Sequence, residues 1–327
     1  MNVKKEFVYE KIENVPECHA STVLPLPDGR VMVAWFAGEH EKNDNVRIWF
    51  SVNENGKWSE PAKVPSEENV PHWNPVLDMR NDGKIRLYFK KGKEINEWVT
   101  WYCDSADGGK TWTDARVLVP DDYSGGRGPV KNKCIRTSQG LLLAPASSEV
   151  TRPLWRCFID VSRDEGDTWT RCDYIVRPRK NFGLVRMIQP TLWEDDNGNI
   201  HALMRTDKGR IYKSHSYDGG LTWSKAERTE LPNNNSGIDC VRASDGKIYL
   251  VYNPVEENWG DRSPLELAVS EDNGETFRTV LVLENEKGGE FSYPAITCYN
   301  NKLYITYTYN RKKIRYCEVG LMKEGNN

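Results

Sequence analysis

Two arginines, a tyrosine, a histidine and several carboxylates are the residues of this sequence best suited to chemistry. Arg205 closes Leu203-Met204-Arg205, Arg262 lies eight residues before Ser270, and Tyr293 sits in Glu290-Phe291-Ser292-Tyr293-Pro294. His19 stands in Glu17-Cys18-His19-Ala20-Ser21 and Asp44 in Glu41-Lys42-Asn43-Asp44-Asn45-Val46. Guanidinium groups grip a planar carboxylate through paired hydrogen bonds, and histidine, tyrosine and carboxylates move protons at a breaking bond. Such a set suits acid–base cleavage of a bond in an anionic substrate. It equally suits β-elimination from a uronate: arginine neutralises the carboxylate, His19 or Tyr293 takes the C5 proton, and the other protonates the leaving oxygen. A metal is not expected, because His40, His72, His201 and His215 show no ligand spacing and the cysteines form no CxxC pair. No motif calls for a cofactor.

Composition narrows the class further. The chain has 327 residues, 45 Lys+Arg against 48 Asp+Glu and a net charge of −3, so nucleic acid and anionic membrane are not expected partners. No apolar run approaches the roughly 20 residues of a membrane span. The N-terminal Met1-Asn2-Val3-Lys4-Lys5-Glu6 lacks the apolar core of a signal peptide, and eight scattered cysteines fit reduced, buried thiols. A cytoplasmic location is therefore expected, as a monomer or small homo-oligomer.

The elements that position these residues are declared by a repeat. Ser105 to Trp112, Ser162 to Trp169 and Ser216 to Trp223 all read S-x-D-x-G-x-T-W. Ser270 to Phe277 keeps the phrase with Phe for Trp, and Ser51 to Trp58 is a degraded copy. The leading serines are spaced 54, 57, 54 and 54 residues apart, the signature of a solenoid or propeller. Between the boxes lie β-rich runs joined by tight turns such as Pro27-Asp28-Gly29, Asn81-Asp82-Gly83 and Ser244-Asp245-Gly246. Four antiparallel strands per unit and six units predict one six-bladed β-propeller over residues 1–327. Phe7 to Ile12 is expected to supply the outermost strand of the last blade and close the ring. The boxes themselves read as structural turns: Ser and Asp satisfy backbone amides, Gly takes a positive φ and the aromatic packs beneath.

In a meander, the start of strand one and the end of strand two share one edge of every blade. Propellers bind ligands where the inner strands converge, so those positions make the candidate site. They hold His19, Trp73, Asn74, Lys131, Gln189, Asp239 and Tyr293 at strand-one starts, and Glu149 and Arg205 after strand two. Asp44 and Arg262 lie in the loops that follow. Polar groups lining a narrow axial channel are costly unless they serve each other or a ligand. Trp73 and Trp259 are candidate platforms for stacking a sugar ring.

These residues resemble the sialidase-like superfamily of BNR, or Asp-box, repeat propellers over essentially the whole chain. The resemblance implies an exo-acting glycosidase on an acidic or related sugar, with a carbohydrate as partner. It implies Asp44 as general acid, Tyr293 as nucleophile or charge stabiliser, and Arg205 and Arg262 as two of three arginines that clamp the sugar carboxylate. A phenol avoids the repulsion that a carboxylate nucleophile would meet beside that carboxylate, and it needs a base to take its proton. The sequence departs from the pattern at two positions. His19 stands where the first arginine belongs, and Gln189 where the activating glutamate belongs; Glu290, three residues before Tyr293, is the substitute considered. Hydrolase, lyase and non-catalytic carbohydrate binder all remain open at this point.

Overall fold

Six four-stranded antiparallel sheets form a ring of blades, with almost no helix. The computed structural model describes residues 2–66, 69–122, 124, 126–150, 154–180 and 183–321. Blade 1 runs Glu17–Pro25, Val31–Gly38 and Arg47–Glu54, completed by Lys57–Trp58 and Ala62–Lys63. Blade 2 comprises His72–Met79, Ile85–Lys91, Val99–Ser105 and Arg116–Val117, and blade 3 comprises Ile135–Arg136, Leu142–Ser148, Arg156–Ser162 and Thr170–Arg171. Blade 4 follows with Met187–Glu194, Ile200–Thr206, Arg210–Ser216 and Glu227–Pro232. Blade 5 holds Asp239–Arg242, Ile248–Tyr252, Leu265–Ser270 and Arg278–Glu284. Blade 6 is built from Phe291–Tyr299, Lys302–Tyr309 and Lys313–Gly320.

The ring is closed by the N-terminus, though not by the residues expected. Val3–Phe7 pairs antiparallel with blade 6, from Val3 opposite Val319 to Phe7 opposite Arg315. The apolar run Phe7-Val8-Tyr9 suggested a strand starting four residues later. Val8, whose amide still donates to Ile314 O at 3.0 Å, and Tyr9 follow the strand and are buried between blades 6 and 1, where Tyr9 stacks on Trp35 with ring centroids 4.9 Å apart. Core packing thus takes the most apolar stretch, and the exposed edge falls to the Lys-rich segment before it, a usual protection for an edge strand.

Each box closes the turn between a blade's third strand and its outermost segment. In blade 4, Asp218 Oδ1 accepts from Ser216 Oγ at 2.7 Å and Thr222 N at 2.9 Å, and Oδ2 accepts from Thr222 Oγ1 at 2.6 Å. Gly274 has φ +88°, and a Cβ there would lie 2.6 Å from the Trp193 ring, so this box packs directly on the neighbouring blade. Asp218→Ala is expected to cost about 1–3 kcal/mol through the amide and hydroxyl left unpaired. The denaturant midpoint checks the loss.

Candidate functional site

A recurrent irregularity shapes the inner strands. Blades 1, 2, 4 and 6 each break register near the start of strand one, between His19 and Thr22, Trp73 and Val76, Ile188 and Thr191, and Ser292 and Ala295. At each break a non-glycine residue is left-handed: Ala20 at φ 52°, Asn74 at 42°, Gln189 at 53° and Tyr293 at 52°. Three of the four precede proline, which has no amide hydrogen and is tolerated at a bulge. Strain of this kind costs about 1–3 kcal/mol per residue and collects at functional sites.

Tyr293 is at the centre of the resulting cluster. Arg205, buried at the end of the second strand of blade 4, donates from one terminal nitrogen to Tyr293 OH at 3.0 Å and to Gln189 Oε1 at 3.1 Å. Its Nε donates to Asn235 Oδ1 at 3.2 Å, and its other terminal nitrogen reaches both oxygens of Asn235. The guanidinium carbons of Arg205 and Arg262 lie 5.6 and 5.8 Å from the Tyr293 ring centroid. The His19 ring lies 4.2 Å from it. Of the two departures noted in the sequence, His19 is thus a direct neighbour of the phenol, and Gln189 reaches it through Arg205.

Arg311, which the sequence places after strand two of the last blade on the edge of the candidate site but to which it assigns no role, joins this cluster. It is left-handed at φ 57°, and its carbonyl accepts from Cys18 N at 2.8 Å across the ring-closing seam. Its Nε donates to Glu290 Oε1 at 2.8 Å, and a terminal nitrogen pairs with Glu41. Arg262 donates to the same Glu290 oxygen at 2.7 Å and to Ser292 Oγ at 3.2 Å. The signal available beforehand was an arginine at the end of strand two in blade 6, the position Arg205 holds in blade 4.

Charge governs the protonation states. Burial holds the His19 imidazole well below its ordinary value, and Arg311, Arg262, Arg205 and Lys131 push it down further. His19 is therefore neutral; Nδ1 pairs with Thr308 Oγ1 at 2.9 Å, while Nε2 is buried and has no partner among the described residues. Burial alone would raise Glu290, but Arg311 and Arg262 overcome it and hold the carboxyl below the usual range. Glu290 is an ionised partner of two arginines, a poor base, and makes no hydrogen bond with Tyr293 among those of the described residues. Glu149 differs. Burial raises its carboxyl, partly offset by Arg205, and it accepts from Ser147 Oγ at 2.9 Å and Gln189 Nε2 at 3.3 Å. Lys131 is lowered to about 7 by burial, and its ammonium donates to Asn132 Oδ1 at 2.8 Å, Ile238 O at 3.1 Å and Pro294 O.

Other candidates are placed elsewhere or serve the scaffold. Asp44 sits on the rim with its side chain 55% exposed, 3.9 Å from Lys93, and is not in contact with Tyr293 or the arginines; Glu41 of the same loop reaches inward instead. Trp73 is no platform: it is 1% exposed, donates to Gly92 O at 2.9 Å and packs on Phe36 and Trp98. Asp239 is buried, pairs with Lys133 at 3.0 Å and accepts from Thr191 Oγ1 at 2.7 Å and Ile296 N at 2.9 Å, tying four blades together. Asn74 lies buried at its bulge with Nδ2 unpartnered among the described residues. Trp259, half exposed and left-handed at φ 63°, stands on the rim. No group of three or more His, Cys, Asp or Glu among the described residues is arranged to hold a metal.

A second buried histidine gives a measurable pH dependence. Burial, then Lys91 and Arg47, lower His72 to about 3. The unfolded chain takes up this proton below about 6.5, so the folded state's advantage is complete above that pH and is lost as pH falls towards 3. At pH 4.5 the loss is on the order of 2–3 kcal/mol. Denaturant titrations at pH 7.5 and 4.5 are expected to show His72→Gln losing less stability than the parent by about this amount.

Comparison with known proteins agrees with the ring and its repeats. Residues 29–305 match the BNR repeat-like domain family. The chain belongs to that family. Among solved structures, this BNR repeat-like protein is similar to a protein of unknown function from Dyadobacter fermentans, with TM-score 0.76, 15% identity and coverage of 98% and 99% of the two chains. It is also similar to the Hadza microbial sialidase Hz136, with TM-score 0.79 and 16% identity over 97% of this chain and 68% of that one. The NanB sialidase of Streptococcus pneumoniae gives TM-score 0.76 and 13% identity over 95% and 70%. At these identities the likeness is one of fold, a sialidase-like six-bladed propeller.

Proposed function

We propose that this BNR repeat-like propeller binds an acidic sugar at the end of a glycan and cleaves its glycosidic bond. One observation carries the reading: Tyr293 OH receives a hydrogen bond from buried Arg205 at 3.0 Å, and Arg262 lies 5.8 Å from the same ring. Guanidinium groups so placed hold a carboxylate beside a phenol that attacks, or stabilises charge at, the anomeric carbon. Arg311 supplies a third cation at the place where His19 replaces an arginine. Glu41 pairs with Arg311, and Glu290 with both Arg311 and Arg262. The sialidases of similar fold support a carbohydrate as partner.

The test is release of an aryl leaving group from aryl sialosides and aryl glucuronides. Release from either one supports hydrolysis of an acidic glycoside, and silence on both removes it. A second reading, elimination from a uronate, is favoured by the unpartnered Nε2 of neutral His19 beside Tyr293, where no carboxylate base touches the phenol among the described residues. Its sign is a new ultraviolet absorbance from an unsaturated product, which hydrolysis does not make. Binding of acidic glycans with no product of either kind makes the propeller a carbohydrate-binding module.

A further inference from the structure

The outer rim of blade 3 carries a cation cluster of a different build. Arg156 opens the third strand directly opposite Ser148, whose neighbour Glu149 contacts Gln189 in the axial well. Its guanidinium lies 4.2 Å from the Tyr174 ring centroid. Arg171 lies 4.2 Å from the same ring and 4.4 Å from that of Phe158. The two rings meet edge to face, 5.6 Å apart.

Elsewhere on blades 2 and 3, arginines are neutralised by carboxylates: Arg80 by Asp167, Arg86 by Asp104 and Arg136 by Asp78. Arg156 and Arg171 form no ion pair with any described carboxylate, and Arg156 Nε is buried without a partner among the described residues. Arg177, which donates to Trp155 O at 3.0 Å, adds a third cation; burial and the Arg156 charge lower its proton affinity. Stacking on a ring face leaves the in-plane N–H donors of a guanidinium directed outward, where they suit an oxyanion. Two guanidinium groups gathered on one ring, neither Arg156 nor Arg171 paired with a described carboxylate, are unfavourable until an anion from outside joins them.

We propose that this rim is a second subsite, which takes carboxylate-bearing units of an acidic glycan chain whose terminal sugar occupies the axial well. It lies one to two strands outward from Glu149, so about 5–10 Å from the well along the sheet. The proposal rests on the acidic-sugar reading for the identity of the chain, but its test separates the two.

Affinities are measured by calorimetry for oligomers of sialic acid and of uronic acid, each as one unit and as five units. The parent protein is expected to bind one series at least about tenfold more tightly at five units than at one, the sum of several partly exposed ion pairs. Arg156→Gln/Arg171→Gln is expected to remove that gain and leave the single-unit affinity within twofold, which also reports an intact fold. Should the double variant not fold, Arg156→Lys/Arg171→Lys keeps the charge without the planar fork and is expected to retain only part of the gain. Single units that bind with no gain from length, or a gain that survives in the variants, overturn the subsite and leave the axial reading standing. Five units that bind where one does not uphold the subsite and overturn the axial reading. Binding of neither overturns both.

Discussion

Arg205→Met is expected to weaken binding of an acidic sugar at least about 100-fold, because each hydrogen bond to a charged group contributes about 1.5–3 kcal/mol and a carboxylate engages two. The variant is also expected to melt no earlier than the parent. Arg205 is 2% exposed, and its contacts are the neutral oxygens of Gln189, Asn235 and Tyr293 rather than a carboxylate. A buried guanidinium that meets only neutral acceptors carries a desolvation cost of several kcal/mol. An apolar chain of similar reach removes that cost, although it leaves Gln189, Asn235 and Tyr293 short of a donor. Calorimetric titration and a thermal melt on the same sample check the pair of outcomes. Weaker binding with a collapsed melt would reassign Arg205 to the scaffold.

Tyr293→Phe separates binding from cleavage. The phenol oxygen has Arg205 as its hydrogen-bond partner, and Arg205 keeps Gln189 and Asn235 when that oxygen is gone. The proposed carboxylate clamp therefore stays in place, and affinity for the acidic sugar is expected to change less than about threefold, whereas turnover is expected to fall about 1,000-fold or more through loss of the proposed attacking or charge-stabilising oxygen. The readout is kcat against Kd for whichever aryl glycoside is cleaved. A variant that turns over normally takes the phenol out of the chemistry and leaves neutral His19 as the group to examine.

The ring of blades was legible in advance because the box repeats nearly verbatim at a near-constant step, and its hydrogen bonds recur from blade to blade. In blades 2 to 5, Ser105, Ser162, Ser216 and Ser270 each bond to an aspartate two residues on and accept from a glycine amide four residues on. The meander also placed Arg205 and Tyr293 on one edge, which only the alternation of strand direction requires. The closing strand was placed too late because hydrophobicity alone does not distinguish an edge strand from the segment that dives beneath it; Val8 and Tyr9 do the latter.

Within the site, position was readable and partnership was not. Asp239, Lys131 and Trp73 lie at strand-one starts as expected, yet Asp239 is neutralised by Lys133, Lys131 meets three oxygens of the scaffold, and Trp73 is packed between Phe36 and Trp98. Arg311 lies on the expected edge after strand two of the last blade, and its role was hidden for the complementary reason. Its importance comes from Glu41, Glu290 and Cys18, which are brought to it only when the ring closes. The left-handed conformations at the strand-one bulges were equally hidden, since a polar residue before proline, as at Asn74, Gln189 and Tyr293, is common in any loop, and Ala20 carries no signal at all.

The central claim is that the mouth of the ring recognises a sugar by its negative charge. Calorimetric titration of the protein with N-acetylneuraminic acid and glucuronic acid, each against its methyl ester, tests that most directly. At least one acid is expected to bind, with its ester weaker by about 100-fold or more, since esterification removes the charge that Arg205, Arg262 and Arg311 converge on. Esters that bind as tightly as their acids, or no binding of either acid, would contradict it.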